Sequence, residues 1–323
     1  MSYLEKQKIS FNSIEDLLRC INLASLLEIS GWPKPGNVHR TQDFTDTRFE
    51  HFLAGIAAIQ PNFEKFCKRI YESANDLTEQ LNYVKLGVFF KVATKEMIKW
   101  QKGGNVIFGH ILILAPIVAA SAICLKINKV NYKDFSFIIK KIIEDSTVED
   151  TINLYEAIKL CHPGGLGKVN KYDVSDENSI KDIKKDNVNL KEIFEISEKY
   201  DLISSEYASG FKIVLNEGLQ YYLEVYKEYN DINMATVHTF LKILSDHPDT
   251  LIIRKSGLEA ALFVSNKASE IIRAGGISTK DGFQLTKELD GILHSKKGLM
   301  NPGTTADLIA GVILCALIFG LRF

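Results

Sequence analysis

Between Val106 and Leu125 the chain runs almost wholly apolar, interrupted only by Gly109, His110, Pro116 and a few small residues. A stretch close to the roughly 20 residues that span a bilayer can cross a membrane, or form a helix surrounded by protein on every side. Leu308 to Leu321 poses the same choice. Polar, glycine- and proline-containing loops abut both stretches, and no aromatic belt flanks them, so the buried reading is preferred. A small helical membrane protein is the minority alternative. With 323 residues, 46% of them hydrophobic and 24% charged, the chain can enclose two such helices in one core.

The rest of the chain reads as helix after helix. Ser13 opens a helix to Ile29, with Glu15 and Asp16 in its first turn and apolar residues at helical spacing. Further helices are expected at Phe49–Ala58, stopping near Pro61, and at Leu81–Trp100. The Val106 segment should break or kink near Pro116. Beyond it come Tyr132–Ile143, Val148–Leu160, Leu190–Tyr200, Ser204–Tyr229, Thr236–Leu244, Leu258–Ala274, Asp281–Lys296 and Ala306–Leu321. No alternating strand is convincing, and Leu251–Ile253 is too short to count. The expected fold is all-α, a single-domain multi-helix bundle over residues 1–323.

A formal net charge of -1 argues against nucleic acid as the main partner. Five scattered cysteines without CxxC spacing suggest neither a disulfide framework nor a zinc site, and fit a reducing cytoplasm. The N-terminus shows no apolar signal region.

Polar sequence is concentrated in five loops between apolar helices, where binding and catalytic groups usually lie. The first, Trp32 to Arg40, is stiffened by Pro33 and Pro35 and turned by Gly36. It carries Lys34, His39 and Arg40, with Asp43 and Asp46 just beyond, a set suited to a phosphate and a magnesium ion. Gly103-Gly104-Asn105 precedes an apolar helix and suits an anion. His110, on an apolar face, reads more simply as a core histidine. The third loop, His162 to Asp173, includes Gly164 and Gly165, whose backbone amides can wrap phosphates. It has neither the P-loop ending nor a preceding strand. The fourth holds Asp249, Arg254 and Lys255, a metal-plus-phosphate combination. The fifth, Asn301 to Asp307, has Thr304 or Thr305 as the expected helix cap, with Asp307 in the first turn. Taken singly, each loop is equally explained as a solvated helix connection.

Taken in order, the loops resemble the triphosphoribosyl-dephospho-CoA synthase family, which prepares the prosthetic group of citrate lyase. Pro33-Lys34-Pro35-Gly36-Asn37-Val38-His39-Arg40 is similar to the family's Pro-Lys-Pro-Gly-Leu-Val-Asp-Arg. Gly104-Asn105 through Gly109 resembles its Gly-Val-Asn-Thr-His-Lys-Gly, with Val106-Ile107 in place of Thr-His. Asp249-Thr250 matches a central Asp-Thr, and Asn301 to Leu308 resembles the terminal Ser-Pro-Gly-Gly-Ser-Ala-Asp-Leu. The third loop looks more like the archaeal branch. The resemblance covers essentially the whole chain.

It implies a transferase that joins the ribose C1 of ATP to the 2′-hydroxyl of dephospho-CoA and releases adenine. On that basis Lys34, Arg40, Arg254 and Lys255 would grip phosphates, with Gly36, Gly164 and Gly165 approaching the nucleotide. Asp43, Asp46 and Asp249 would hold Mg2+ or act as base, and Asn105 and Asp307 would orient the ribose or the base. Two alternatives stay open: a regulatory protein that binds nucleotide without turnover, and a related ribosyl transferase with another acceptor. Partners are then small nucleotides, with no membrane; a homodimer is left open.

Overall fold

The structure, a computed structural model, describes residues 4–129, 131–161 and 171–323. Among these it has fifteen α-helices and no strand: α1 (Ile14–Ser30), α2 (Phe49–Ser73), α3 (Leu86–Trp100), α4 (Phe108–Ile127), α5 (Tyr132–Glu144), α6 (Val148–Cys161), α7 (Ser179–Asp186), α8 (Leu190–Ser197), α9 (Leu202–Ser209), α10 (Leu219–Tyr229), α11 (Ile232–Asp246), α12 (Thr250–Ser256), α13 (Leu258–Arg273), α14 (Lys280–Ser295) and α15 (Gly303–Ile318).

The two apolar stretches, α4 and α15, form the centre and pack on each other. α4 is covered by α1, α2, α3 and α5, and α15 by α1, α10 and α11. Of the apolar window in α4, 89% is buried inside the protein, so its lack of a polar face reflects neighbours all round. Gly311 lets the pair approach, since a Cβ there would stand 2.6 Å from Ile113.

Pro116 does not break the helix: α4 runs unbroken through it. A proline lacks the N–H that would satisfy the carbonyl four residues back. Here the Tyr207 hydroxyl, from α9, donates to that Leu112 oxygen at 2.7 Å. α2 likewise continues past Pro61 to Ser73. Pro61 is exposed, while Ile56, Ile59, Phe63, Phe66 and Ile70 keep one buried stripe running through it. Leu251–Ile253 is helical, inside α12. The long helix expected from Ser204 to Tyr229 is interrupted at Gly210, in the left-handed region, and by a π turn at Ile213–Gly218. The buried Glu206 carboxylate caps that turn by accepting the Ile213 and Val214 N–H groups at 2.7 and 2.8 Å.

Candidate active site

One large cavity, about 1620 Å3, opens between α4, α6, α8, α9, α12 and the start of α15. The loops converge on it unevenly. Asp46, Asn105, Arg254, Lys255 and Asp307 line it; Lys34, Gly36, Arg40, Asp43 and Asp249 do not. Gly164 and Gly165 lie outside the described residues.

Each of the five that stand back is occupied in a way the structure makes plain. Arg40 lies over the Trp32 ring, 5.9 Å from its centroid. Asp43 accepts the Phe49 N–H at 2.8 Å and so caps α2. Gly36, at φ 72°, donates its N–H to Asp290 at 2.9 Å, and a Cβ there would meet Leu293 at 2.6 Å. Asn233 brackets Trp32 with two hydrogen bonds, so the whole loop is clamped to α11 and α14. Lys34 is completely buried, and its ammonium donates to the backbone oxygen of Glu28 at 2.8 Å and to the Glu28 carboxylate.

Asp249 is also fully buried. Its Oδ1 accepts the Leu251 and Ile252 N–H groups, which caps α12. Its Oδ2 accepts the N–H and hydroxyl of Thr305 at 2.7 and 2.8 Å. Neither Thr304 nor Thr305 caps α15 as expected. Asp249 satisfies the helix start from outside, and it thereby fixes α12 to α15. Burial raises its pKa, against the pull of the Thr305 and Ile252 donors.

A second clasp joins the terminal motif to the first, with Asn37 donating to Asn301 at 2.8 Å. Arg254 is held by Asp201, the N-cap of α9, at 2.7 Å. Lys171, Lys199 and Lys297 also line the cavity, so its lining carries five lysine and arginine side chains with Arg254 and Lys255.

The strongest electrostatic feature was not apparent in the sequence. Glu28, in the last turn of α1, and His110, in the first turn of α4, both line the cavity beside Asp307. His110 Nε2 is 3.3 Å from Glu28 Oε2, and its Nδ1 is 3.1 Å from Asp307 Oδ1. Both contacts fall outside hydrogen-bond angles, so they act mainly charge to charge. With Lys34 they form an alternating row, Lys34–Glu28–His110–Asp307. Burial alone would lower the His110 pKa, but the two carboxylates raise it to about 9. Burial would push Glu28 up, yet Lys34 and His110 hold it below its ordinary value. Asp307 is raised, chiefly by burial, with His110 pulling the other way. The one signal for this row was an ionisable residue within an otherwise apolar helix, which must find a partner or stay neutral.

Among the described residues no group of three or more His, Cys, Asp or Glu side chains is placed to hold a metal. Asp46 is the one carboxylate of the expected metal set that reaches the cavity.

Several known proteins are similar to this chain. A Vibrio cholerae protein assigned as a 2-(5''-triphosphoribosyl)-3'-dephosphocoenzyme-A synthase is 24% identical over 297 residues, 90% of this chain and 84% of that one. An Acinetobacter calcoaceticus protein with the same assignment is 31% identical over 109 residues, 34% of this chain and 36% of that one. A crystal structure from Archaeoglobus fulgidus, assigned as a triphosphoribosyl-dephospho-CoA synthase, superposes with a TM-score of 0.62 at 26% identity. The match covers 84% of this chain and all of that one. Residues 14–322 match the family described as ATP:dephospho-CoA triphosphoribosyl transferase, CitG. With motifs, helical fold and full-length match in agreement, the chain belongs to the ATP:dephospho-CoA triphosphoribosyl transferase family.

Proposed function

We propose that this protein transfers the triphosphoribosyl group of ATP to the 2′-hydroxyl of dephospho-CoA, releasing adenine, with Asp307 as the carboxylate at the reacting carbon. The observation that carries this reading is that Asp307 faces the same cavity as Arg254, Lys255, Lys199 and Lys297. A triphosphate gripped by those cations brings its ribose toward the α4–α15 contact. The acceptor oxygen then bonds to C1 as the C1–N9 bond breaks, through a state with oxocarbenium character. The hydroxyl proton passes to Asp307, and adenine takes up a proton as it leaves. Asn105, whose Oδ1 accepts the Phe108 N–H at 3.2 Å, stands at the same wall to orient the nucleoside.

Magnesium, when bound, supplies neutralisation of phosphate charge. Such an ion is typically carried by substrate phosphates with one or two protein carboxylates, which suits a cavity where Asp46 is the one member of the expected metal set in the lining. Lys34, Gly36, Arg40, Asp43 and Asp249 are assigned to the frame that sets these groups in place. The cavity draws its lining from α1 through α15, which supports a single functional unit. All five cysteines are free and buried, in keeping with a reducing, cytoplasmic setting.

One observation favours a related acceptor. Val106 and Phe108 line the cavity where the resembled motif carries Thr and Lys, so this wall lacks those two polar side chains. The test is chromatographic measurement of adenine released from ATP with dephospho-CoA and, separately, with other hydroxyl-bearing acceptors. Release only with dephospho-CoA supports the first reading, and release only with another acceptor supports the second. Nucleotide binding with no adenine release from any acceptor would overturn both.

A further inference from the structure

The row of charges ending at Asp307 is arranged in one direction. Lys34 is fully buried, Glu28 is 1% and His110 3% exposed, and Asp307, at 18%, is the member that opens most to the cavity. The four residues come from the clamped first loop, the end of α1, the start of α4 and the start of α15. Buried ion rows of this kind are poor stabilisers, because desolvating each charge offsets most of the attraction. Apolar side chains would fill the same space at less cost. A row that the fold maintains, and that leads to one cavity-facing carboxylate, is explained better by what it does to that carboxylate.

The two oxygens of Asp307 differ. Oδ1 faces His110 Nδ1 at 3.1 Å. Oδ2 lies over Gly109, where a Cβ would stand 1.8 Å away, and among the described residues no hydrogen-bond donor reaches it. One oxygen is therefore held, and the other is left for a ligand. The His110 ring has a carboxylate at each nitrogen, so a neutral ring would turn a lone pair toward a negative charge. The imidazolium form satisfies both sides.

We propose that His110 is a positioning residue for the transfer reaction: fixed by Glu28, which Lys34 fixes in turn, it presents Asp307 with Oδ2 free to take the proton of the acceptor hydroxyl. This rests on the reading above that Asp307 is the base. The step balances: the hydroxyl proton moves to Oδ2, the oxygen's electron pair forms the bond to C1, and the C1–N9 pair leaves with adenine. The charged groups facing Asp307 are His110 from α4, Glu28 from α1, Lys34 from the loop and Asp201 from the α9 cap, the last already paired with Arg254.

The experiment compares pH–rate profiles of wild type, His110→Gln and Glu28→Gln, each checked for folding by thermal melting. Both variants should lose kcat by about 10- to 100-fold, the usual scale for residues that orient a reacting group, with little change in KM for ATP. The acid limb of His110→Gln should move toward neutral pH, because Asp307 loses the cation that opposes its burial, whereas Glu28→Gln keeps that cation and removes a carboxylate that raises Asp307, so its limb should not share the shift. If the variants fold and lose activity evenly across pH, His110 is only structural and the proposal falls. If wild type itself releases no adenine with any acceptor, the functional reading fails first. Should either variant not fold, histidine NMR of the wild type decides: the His110 ring remaining protonated at pH 8 supports the arrangement, and a ring neutral at pH 7 overturns it.

Discussion

Asp307 Oδ2 occupies the space that a side chain on Gly109 would need, 1.8 Å from the ideal Cβ position. The glycine is the second residue of α4, the point where that helix makes room for a carboxylate from α15. Gly109→Ala should therefore displace Asp307. A misplacement of about 1 Å in a reacting group costs on the order of 100-fold in rate. A loss of that size in adenine release, with a melting temperature near wild type, is the expected result.

Asp249 should behave as a structural residue. Asp249→Ala removes four accepted hydrogen bonds, a helix cap and the tie between α12 and α15. A cap alone is worth about 1 kcal/mol, and each buried donor left unpaired costs about 1–3 kcal/mol more. Urea denaturation should show a loss of at least about 3 kcal/mol.

Tyr207 and Pro116 should couple. Tyr207→Phe leaves the Leu112 carbonyl without a donor and should cost about 1–3 kcal/mol. In a Pro116→Ala background the helix can supply its own N–H, so the same change should cost less. A double-mutant cycle by chemical denaturation measures the difference.

The grip on the triphosphate should be separable from chemistry. Lys255→Ala and Lys297→Ala should raise KM for ATP about 10-fold each, on the scale of one charge-assisted hydrogen bond, and should weaken the salt dependence of binding. A fall in kcat alone would move these lysines out of the phosphate site.

Asp290 sets an acid dependence of stability. Burial would raise its carboxyl, but His294, His39 and the Gly36 N–H outweigh this and hold it well below the ordinary range. Because the folded value lies beneath the unfolded one of about 3.9, its contribution is complete above roughly pH 5 and is lost as pH falls through the carboxylate range. Asp290→Asn should flatten that part of the stability profile, followed by urea midpoints between pH 3 and 6.

Much of this molecule is written locally. The buried helices α4 and α15 follow from continuous apolar runs, and the motif loops fall at the breaks between helices. Asn105, Asp46, Arg254, Lys255 and Asp307 all reach the cavity. What was not legible depends on which way a side chain turns. Asp249 reads as a metal ligand beside two cations, yet an N–H-rich helix start from 56 residues away claims its second oxygen. Lys34 reads as a phosphate ligand until α1 is seen to place Glu28 against it. His110 reads as core, and it is buried; only the meeting of three helices gives it two carboxylates. Pro61 misled for the opposite reason, since the apolar period on both sides of it was already present.

The tie that Asp249 makes between α12 and α15 has a mechanical meaning. Arg254 and Lys255 ride on one of these helices and Asp307 on the other, so the grip on the nucleotide and the proton acceptor are geared to each other. Adapting this scaffold to a new acceptor is therefore easiest along α6 and α8, where lining side chains can be exchanged without turning that gear.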